Sequence, residues 1–459
     1  MLRSSRSSCP SSRLVTLVLA AAACSSAKEP APAVPAPAVV AAAPAVAPAA
    51  PASAPAPASA PAPATAPAAP AGPPPPASPP AASADGLDFI ADARLLYRVA
   101  ACGQVDQPLP AALLESDPQR AARITRSVER HCKRITEHLG EFRDRYFVKA
   151  RPWFDAVVPA DAPRTVVYAF GGGDLISALV AFPEATEITT ISLEQSGDPR
   201  RLRTLSAAAL DVSLGALRAD IGGLISVGSN TSVNLSAGQK NDLPGQVSSF
   251  LLGLVGAGFE PRSMRYFILD DAGAIDYLDQ AQIDELEKAK GRSLKHDWES
   301  PAFSPAFANV EITYGRPGEA ATRVHRHIGW NLGDDYLTRH PQLLRHLEAK
   351  GKVTVLTKGA SYLLWRGDFA LIRDWMLGNL AWMLSDSTGI PPAYARARGL
   401  VQDTYGSYHG AFLEGAQEGK HDQAFVEMWA KQKRRRLPFR FGYVDKDKQA
   451  HLVVTRPKT

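Results

Sequence analysis

Thr165-Val166-Val167-Tyr168-Ala169-Phe170-Gly171-Gly172-Gly173-Asp174 is the stretch on which the fold turns. Thr165 to Phe170 is short, apolar and rich in β-branched residues, a strand signal, and three glycines followed by an aspartate break it. Leu175 to Phe182 can then be helical and Glu187 to Leu193 is a second strand-like run, so the unit reads strand, helix, strand. Further along, Met264 to Leu269, Val353 to Thr357 and Ala381 to Leu384 are candidate strands, with a helix expected over Asp368 to Leu380. Phe307 to Tyr314 and Thr322 to Leu332 flank Gly315-Arg316-Pro317-Gly318, which predicts an antiparallel β-hairpin inserted into that frame. An α/β fold on an open, mostly parallel sheet is the economical arrangement.

With these residues in place, the unit resembles the opening of a Rossmann-like sheet and, over about 30 residues, the glycine motif of methyltransferases. The resemblance implies that Gly171, Gly172, Gly173 and Asp174 approach a ligand through backbone N–H groups. It also implies that an acidic residue about 20 positions later meets ribose hydroxyls, and Glu194 stands 21 positions after Gly173. Ile176 occupies the place of the third glycine, and the first strand lacks the acidic residue that methyltransferases carry. The plainer reading of three glycines is a tight strand-to-helix turn.

The chain before Asp85 has a different character. Nineteen of the 38 prolines lie between Pro30 and Pro80, and no charged residue occurs from Pro30 to Ala84. Such a segment has too few apolar side chains to fold. At about 3.1 Å per residue, its extended polyproline form makes a long spacer. Upstream, Arg3, Arg6 and Arg13 precede the apolar run Leu14 to Ala23, and Ala21-Ala22-Ala23 leads into Cys24. A run this short is a removed signal and not a membrane span. It resembles a bacterial lipoprotein signal, which implies acylation of Cys24, attachment to the membrane through that lipid, and, with Ser25 next, an outer-membrane address facing the periplasm or the cell surface. Ala-x-Ala before Cys24 also suits ordinary signal cleavage. The expected division is 1–23 signal peptide, 24–84 lipid-attached tether, 85–163 helical subdomain and 164–459 Rossmann-like α/β domain.

The helical part shows its own pattern. Ser116-Asp117-Pro118 reads as a cap with proline in the first turn, and Ile124, Val128, Cys132, Ile135, Leu139, Phe142 and Tyr146 recur at spacings of four and three. Cys102 ends the preceding helical pattern, so Cys102 and Cys132 can meet across a helical hairpin as a disulfide in an exported chain. The alternative is two separately buried thiols.

Polar residues at the expected carboxyl ends of strands make the second site candidate: Asp174, Glu194, Asp270 with Asp271, Lys358 with Ser361, and Asp386 with Ser387. Open α/β sheets bind ligands there, and a lysine among carboxylates can anchor a polar ligand or exchange protons. Capping and turn formation explain the same residues without a ligand. His325 and His327 share one face of a strand and can share a divalent metal, with Asp334 or Asp335 as an oxygen donor; a covered polar strand face is the ordinary explanation. Beyond these two alternatives, a divalent metal and an S-adenosylmethionine-like nucleotide, no cofactor is expected.

The remaining signals narrow the function. The net charge of +5 falls to about +2 without the three leader arginines, too little for nucleic acid to be a partner. The chain has no G-x-S-x-G elbow, no phosphate-binding G-x-x-x-x-G-K-[ST] loop and no lactamase-like set. Tyr405 to Gly410, with His409, reads as a loop, and Lys431 to Arg436 as a basic helix end facing solvent, anionic lipid or cell-wall polymer. The order of strand, glycine turn and Ser192-Leu193-Glu194 resembles that of uncharacterised bacterial lipoproteins, a resemblance that implies location and no particular activity. The expectation is therefore an envelope lipoprotein presenting an α/β domain to a ligand, a cell-wall partner or an envelope protein. The alternatives are an envelope enzyme, methyltransferase-like or a carboxylate-based hydrolase, and a structural or assembly component.

Overall fold

The computed structural model describes residues 86–114, 117–227, 243–288, 303–410, 419–442 and 450–458. The signal, Cys24 and the Ala/Pro-rich stretch lie outside the described residues. Those described belong to one unit, built on a ten-stranded sheet.

The quoted stretch forms β1 (Thr165–Ala169), followed by α4 (Leu175–Ala181) and β2 (Glu187–Ser192). The longer helices before β1 are α1 (Ile90–Val99), α2 (Pro118–Phe142) and, after a π-helical turn at Arg143–Phe147, α3 (Val148–Val157), with a single helical turn at Ala111–Leu114 between the first two. After β2 come α5 (Ala207–Val227), α6 (Gly245–Ala257), β3 (Glu260–Leu269), β4 (Ile275–Tyr277) and α7 (Gln280–Lys288). The hairpin is β5 (Asn309–Gly315) and β6 (Arg323–Gly329), followed by α8 (Asp334–Arg339), α9 (Gln342–Glu348) and β7 (Val353–Thr357). The last elements are α10 (Ala370–Asn379), β8 (Leu380–Ser385), α11 (Pro392–Ala397), β9 (Leu400–Gly406), α12 (Gly419–Lys431) and β10 (His451–Pro457).

The strand order is β4-β3-β5-β6-β2-β1-β7-β8-β10-β9. The centre, β6-β2-β1-β7-β8, is parallel throughout, as a Rossmann-like open sheet requires. Both wings are antiparallel, because β5, β3 and β4 extend one side and β10 and β9 the other. The predicted hairpin is therefore no appendage: β6 continues the parallel block against β2, and β5 opens the wing. From β1 the chain moves to β2 on one side, while β7 leads to β8 on the other. The switch point of the topology thus lies between β1 and β7.

Alternation along the strands feeds two cores. Tyr168, Ile188, Leu356 and Leu384 pack with Leu96, Ile124, Phe154 and Phe250 of the helices on one face. Val167, Ile191, Val355 and Met383 pack with Leu343, Ile372 and Met376 on the other. The α1–α3 helices share the first core with the sheet, which makes them one of its covering layers. Asp117 caps α2 by accepting from the backbone N–H groups of Gln119 (3.0 Å) and Arg120 (3.2 Å), with Pro118 in the first turn.

Two details fit the sequence to this frame. A Cβ at Gly171 would stand 2.7 Å from the Tyr168 ring, so the turn after β1 needs a glycine there. Ile176 fills the position of the missing third glycine, and close helix packing is restored from the opposite side. Gly253 of α6 lies where a Cβ would come within 3.1 Å of the Ile176 nitrogen.

Cys102 and Cys132 form a disulfide with Cα atoms 5.2 Å apart. Closing a loop of this sequence separation, 30 residues, stabilises the fold by about 3–4 kcal/mol through the unfolded chain. Chemical denaturation with and without reductant checks this. The midpoint falls by that free energy when the bond is reduced, and an unchanged midpoint contradicts a stabilising bridge.

Candidate functional site

The residues at the switch point bind one another. Asp174 is the N-cap of α4, and its Oδ1 accepts from the Ser177 backbone N–H at 3.3 Å. Its Oδ2 lies 2.7 Å from Lys358 Nζ and accepts from the Tyr168 hydroxyl at 2.9 Å. Lys358 also donates to Ser177 Oγ at 3.0 Å, with the Phe441 ring centroid 5.9 Å from its Nζ. Asp174 is 0% exposed and Lys358 6%, so both charges are out of water and each answers the other. Burial, reinforced by the neighbouring Asp174 charge, raises the Tyr168 phenol well above its ordinary range and fixes it as a donor.

The next loops continue the pattern. Asp386, at the end of β8, accepts from the Gly359 backbone N–H at 3.0 Å and from the Thr388 backbone N–H at 2.8 Å, and its Oδ1 also takes the Thr388 hydroxyl. Ser361 Oγ lies 2.7 Å from Thr388 Oγ1. Gly359 follows Lys358 directly, so Asp174, Lys358, Asp386 and Ser361 form one continuous buried network across the ends of β1, β7 and β8. The fold positions it because the loops after those three strands begin side by side.

In the nucleotide-binding arrangement of this architecture, phosphate sits at the N-terminus of the helix after the glycine turn. Here the Asp174 carboxylate occupies that place. A pyrophosphate would have to displace this carboxylate from both the helix N-terminus and Lys358, so these residues do not fit one. Phe170, at φ 60°, and Gly172, at φ 49°, make the turn that delivers Asp174.

Glu194 belongs to a different cluster. Its carbonyl accepts from His327 Nε2 at 2.8 Å, and burial raises its carboxyl above the ordinary range. Thr190 Oγ1 lies 3.0 Å from both His325 Nε2 and His327 Nδ1. Because the Glu194 carbonyl requires a proton on His327 Nε2, His327 Nδ1 is the acceptor. Thr190 therefore donates to His327 and accepts from His325 Nε2–H. Both imidazoles are 0% exposed and pack against Phe250 of α6, so a helix covers the histidine face. Asp334 is engaged elsewhere, accepting from the backbone N–H groups of Ala370 and Leu371 at the start of α10. Among the described residues, no group of three or more histidine, cysteine, aspartate or glutamate side chains is placed to hold a metal ion.

The opposite face of β6 carries charge. Arg326 pairs with Glu187 at 2.8 Å and Glu311 at 2.9 Å, and Lys350 pairs with Glu187. Burial alone would raise the Glu187 carboxyl, but Lys350 and Arg326 together hold it down at about 2. Asp270 and Asp271 serve the β3–β4 turn: Asp270 accepts from the Ala274 backbone N–H at 2.7 Å, and Asp271 from Gln342 at 3.2 Å.

The sequence reading missed Tyr168 and Ser177 as partners of Asp174, and it missed His451, whose Nε2 lies 3.0 Å from Ser387 Oγ. The available signal was the β-branched run His451–Pro457, which forms β10. The basic run also reads differently in three dimensions. The helix ends at Lys431, and Gln432 to Arg436 continues as irregular chain that hydrogen-bonds along β9. Gln432 donates to the Gln402 carbonyl at 2.7 Å and accepts from the Thr404 backbone N–H at 3.0 Å, so a side-chain amide completes the edge strand.

Comparison with family models, with curated proteins and with solved structures returned no match.

The buried histidines make the fold acid-sensitive. Burial holds His131 and His327 down at about 4 and His346 at about 3, so the folded protein keeps all three neutral where the unfolded chain protonates them. Their stability contribution is complete above about pH 6.5 and is lost as pH falls towards 4. Each costs about a tenfold factor in stability per pH unit below about pH 6.5, which makes roughly 6 kcal/mol for the three together near pH 5. Urea denaturation between pH 7 and 5 measures this, and a flat profile contradicts it.

Proposed function

We propose that the chain is a cell-envelope lipoprotein that presents a catalytically inert α/β domain to a ligand or partner. The carrying observation is the Asp174–Lys358 pair, which occupies the switch point where this architecture would otherwise receive a ligand. Asp386 and Ser361 extend that closure through the Gly359 N–H and the Thr388 hydroxyl. The arginines before Leu14 and the small residues before Cys24 support export and acylation at Cys24, with attachment to the outer membrane through the lipid. The uncharged Ala/Pro-rich stretch supports a tether that lets the domain reach a cell-wall or envelope-protein partner. Among the described residues no helix is long and apolar enough to cross a membrane, so the lipid carries the attachment in this reading.

One observation favours an enzyme instead. Ser387 Oγ and His451 Nε2 form a hydroxyl–imidazole pair at the end of β8, the pairing that activates a serine nucleophile. Both residues are 0% exposed, and the Tyr408 ring centroid lies 4.9 Å from the imidazole. A fluorophosphonate probe separates the readings. The inert domain takes no label, and labelling at Ser387 that is lost in Ser387→Ala establishes the enzyme.

Mass spectrometry of the protein purified from the envelope in mild detergent tests the main proposal. The expected result is a lipid-modified Cys24 and no small molecule held at the strand ends. An unmodified Cys24 on the mature chain overturns the lipoprotein reading. A co-purifying ligand that is lost in a folded Ser361→Ala variant overturns the closed crevice.

A further inference from the structure

The geometry points to a phosphate-ester binding site at the outer edge of the sheet, in a cavity walled by Arg434, Arg435 and Arg436. This cavity, of about 440 Å³, lies where β9 ends and β10 begins, with Ser407 and Leu437 completing its wall. β9 runs parallel to β8, so its end lies on the same side of the sheet as the closed switch point, several strands away.

The walls are held in place by the backbone. The Gly406 N–H donates to the Arg435 carbonyl at 2.8 Å, and the Ser407 N–H to the Ala450 carbonyl at 3.1 Å. Arg435 is itself fixed: its guanidinium lies 2.9 Å from Asp403, donates to the Thr404 carbonyl at 3.2 Å, and stacks over the Tyr405 ring at 5.4 Å. Arg434 and Arg436 flank this anchored residue, both exposed and with no ion-pair partner among the described residues.

The charge balance selects the ligand. Asp403 is shared between Arg435 (2.9 Å) and Arg456 (3.2 Å), which leaves Arg434 and Arg436 uncompensated among the described residues, with Ser407 also in the cavity wall. A phosphomonoester near neutral pH carries close to two negative charges and three acceptor oxygens, which match two forked donors better than a single carboxylate does. Leu437 and Ala450 give the organic part an apolar wall, and the volume suits a ligand of sugar-phosphate size. The phosphate can belong to a soluble ester or to a lipid headgroup, because the recognition chemistry is the same. The inference rests on the reading of the chain as a binding protein and gives that reading a site.

The test uses the full mature chain. Binding of glycerol 3-phosphate is measured by calorimetry, and binding to phosphatidylcholine vesicles containing phosphatidic acid by co-sedimentation. The variants are Arg434→Ala/Arg436→Ala and, as a control of equal charge loss on α2, Arg123→Ala/Arg126→Ala. The expected result is binding in one or both arms that weakens roughly tenfold or more in the Arg434/Arg436 variant and stays unchanged in the control. Binding in the calorimetric arm identifies a soluble ester, and binding in the vesicle arm alone a lipid phosphate. No binding in either arm, binding unaffected by the Arg434/Arg436 change, or equal loss in the control overturns the site. Such a failure leaves lipid attachment at Cys24 to its own mass measurement.

Discussion

Asp174 and Lys358 meet 2.7 Å apart, out of water, at the junction where the chain leaves β1 in one direction across the sheet and β7 in the other. Two buried charges are costly unless each is paired and hydrogen-bonded, and the surroundings meet that demand. Tyr168 and the Ser177 N–H complete the carboxylate, Ser177 Oγ takes another ammonium proton, and Asp386 ties down the loop that begins at Gly359. The cap of α4 and the end of β7 meet at this one contact, and Asp386 joins the end of β8 to it through Gly359. The contact also sets the functional limit. The helix N-terminus that would attract an anionic ligand already holds a carboxylate from its own chain.

Around that lock, the sheet separates its polar groups by face. On one side, His325, Thr190 and His327 form a neutral hydrogen-bonded chain that ends on the Glu194 carbonyl beneath Phe250. On the other, Arg326 and Lys350 are matched to Glu187 and Glu311. The charged groups of the central strands are thus paired internally, although His325 Nδ1, Thr357 Oγ1 and Ser385 Oγ are buried without a hydrogen-bond partner. At the margin of the sheet, Gln432 and Arg435 close the last strand and carry the neighbouring arginines with them.

Much of this frame was legible in the sequence, for identifiable reasons. β1, β2, β7 and β8 are buried on both faces or nearly so, and each announces itself as an apolar or β-branched run ending in a glycine or polar turn. The hairpin was marked by Gly315 to Gly318. β9 was not legible, because Gln402, Asp403 and Thr404 interrupt its apolar pattern to serve edge contacts. Of the site, Asp174, Lys358, Ser361 and Asp386 could be named from their positions after strands. That they bind each other depends on β1 and β7 being neighbours, and strand order across a large separation leaves no local mark. The histidines were placed on one face by their alternation, while the helix that covers them comes from a distant stretch.

A double-mutant cycle on Asp174→Asn and Lys358→Met, read by equilibrium denaturation, tests the lock most directly. The account predicts that each single change costs about 3–5 kcal/mol, because the other charge is left buried and unpaired. It also predicts that the double variant recovers a large part of that loss, with a coupling of roughly 2 kcal/mol or more. Small single effects, or costs that simply add, would contradict it and return the switch point to the list of open binding sites.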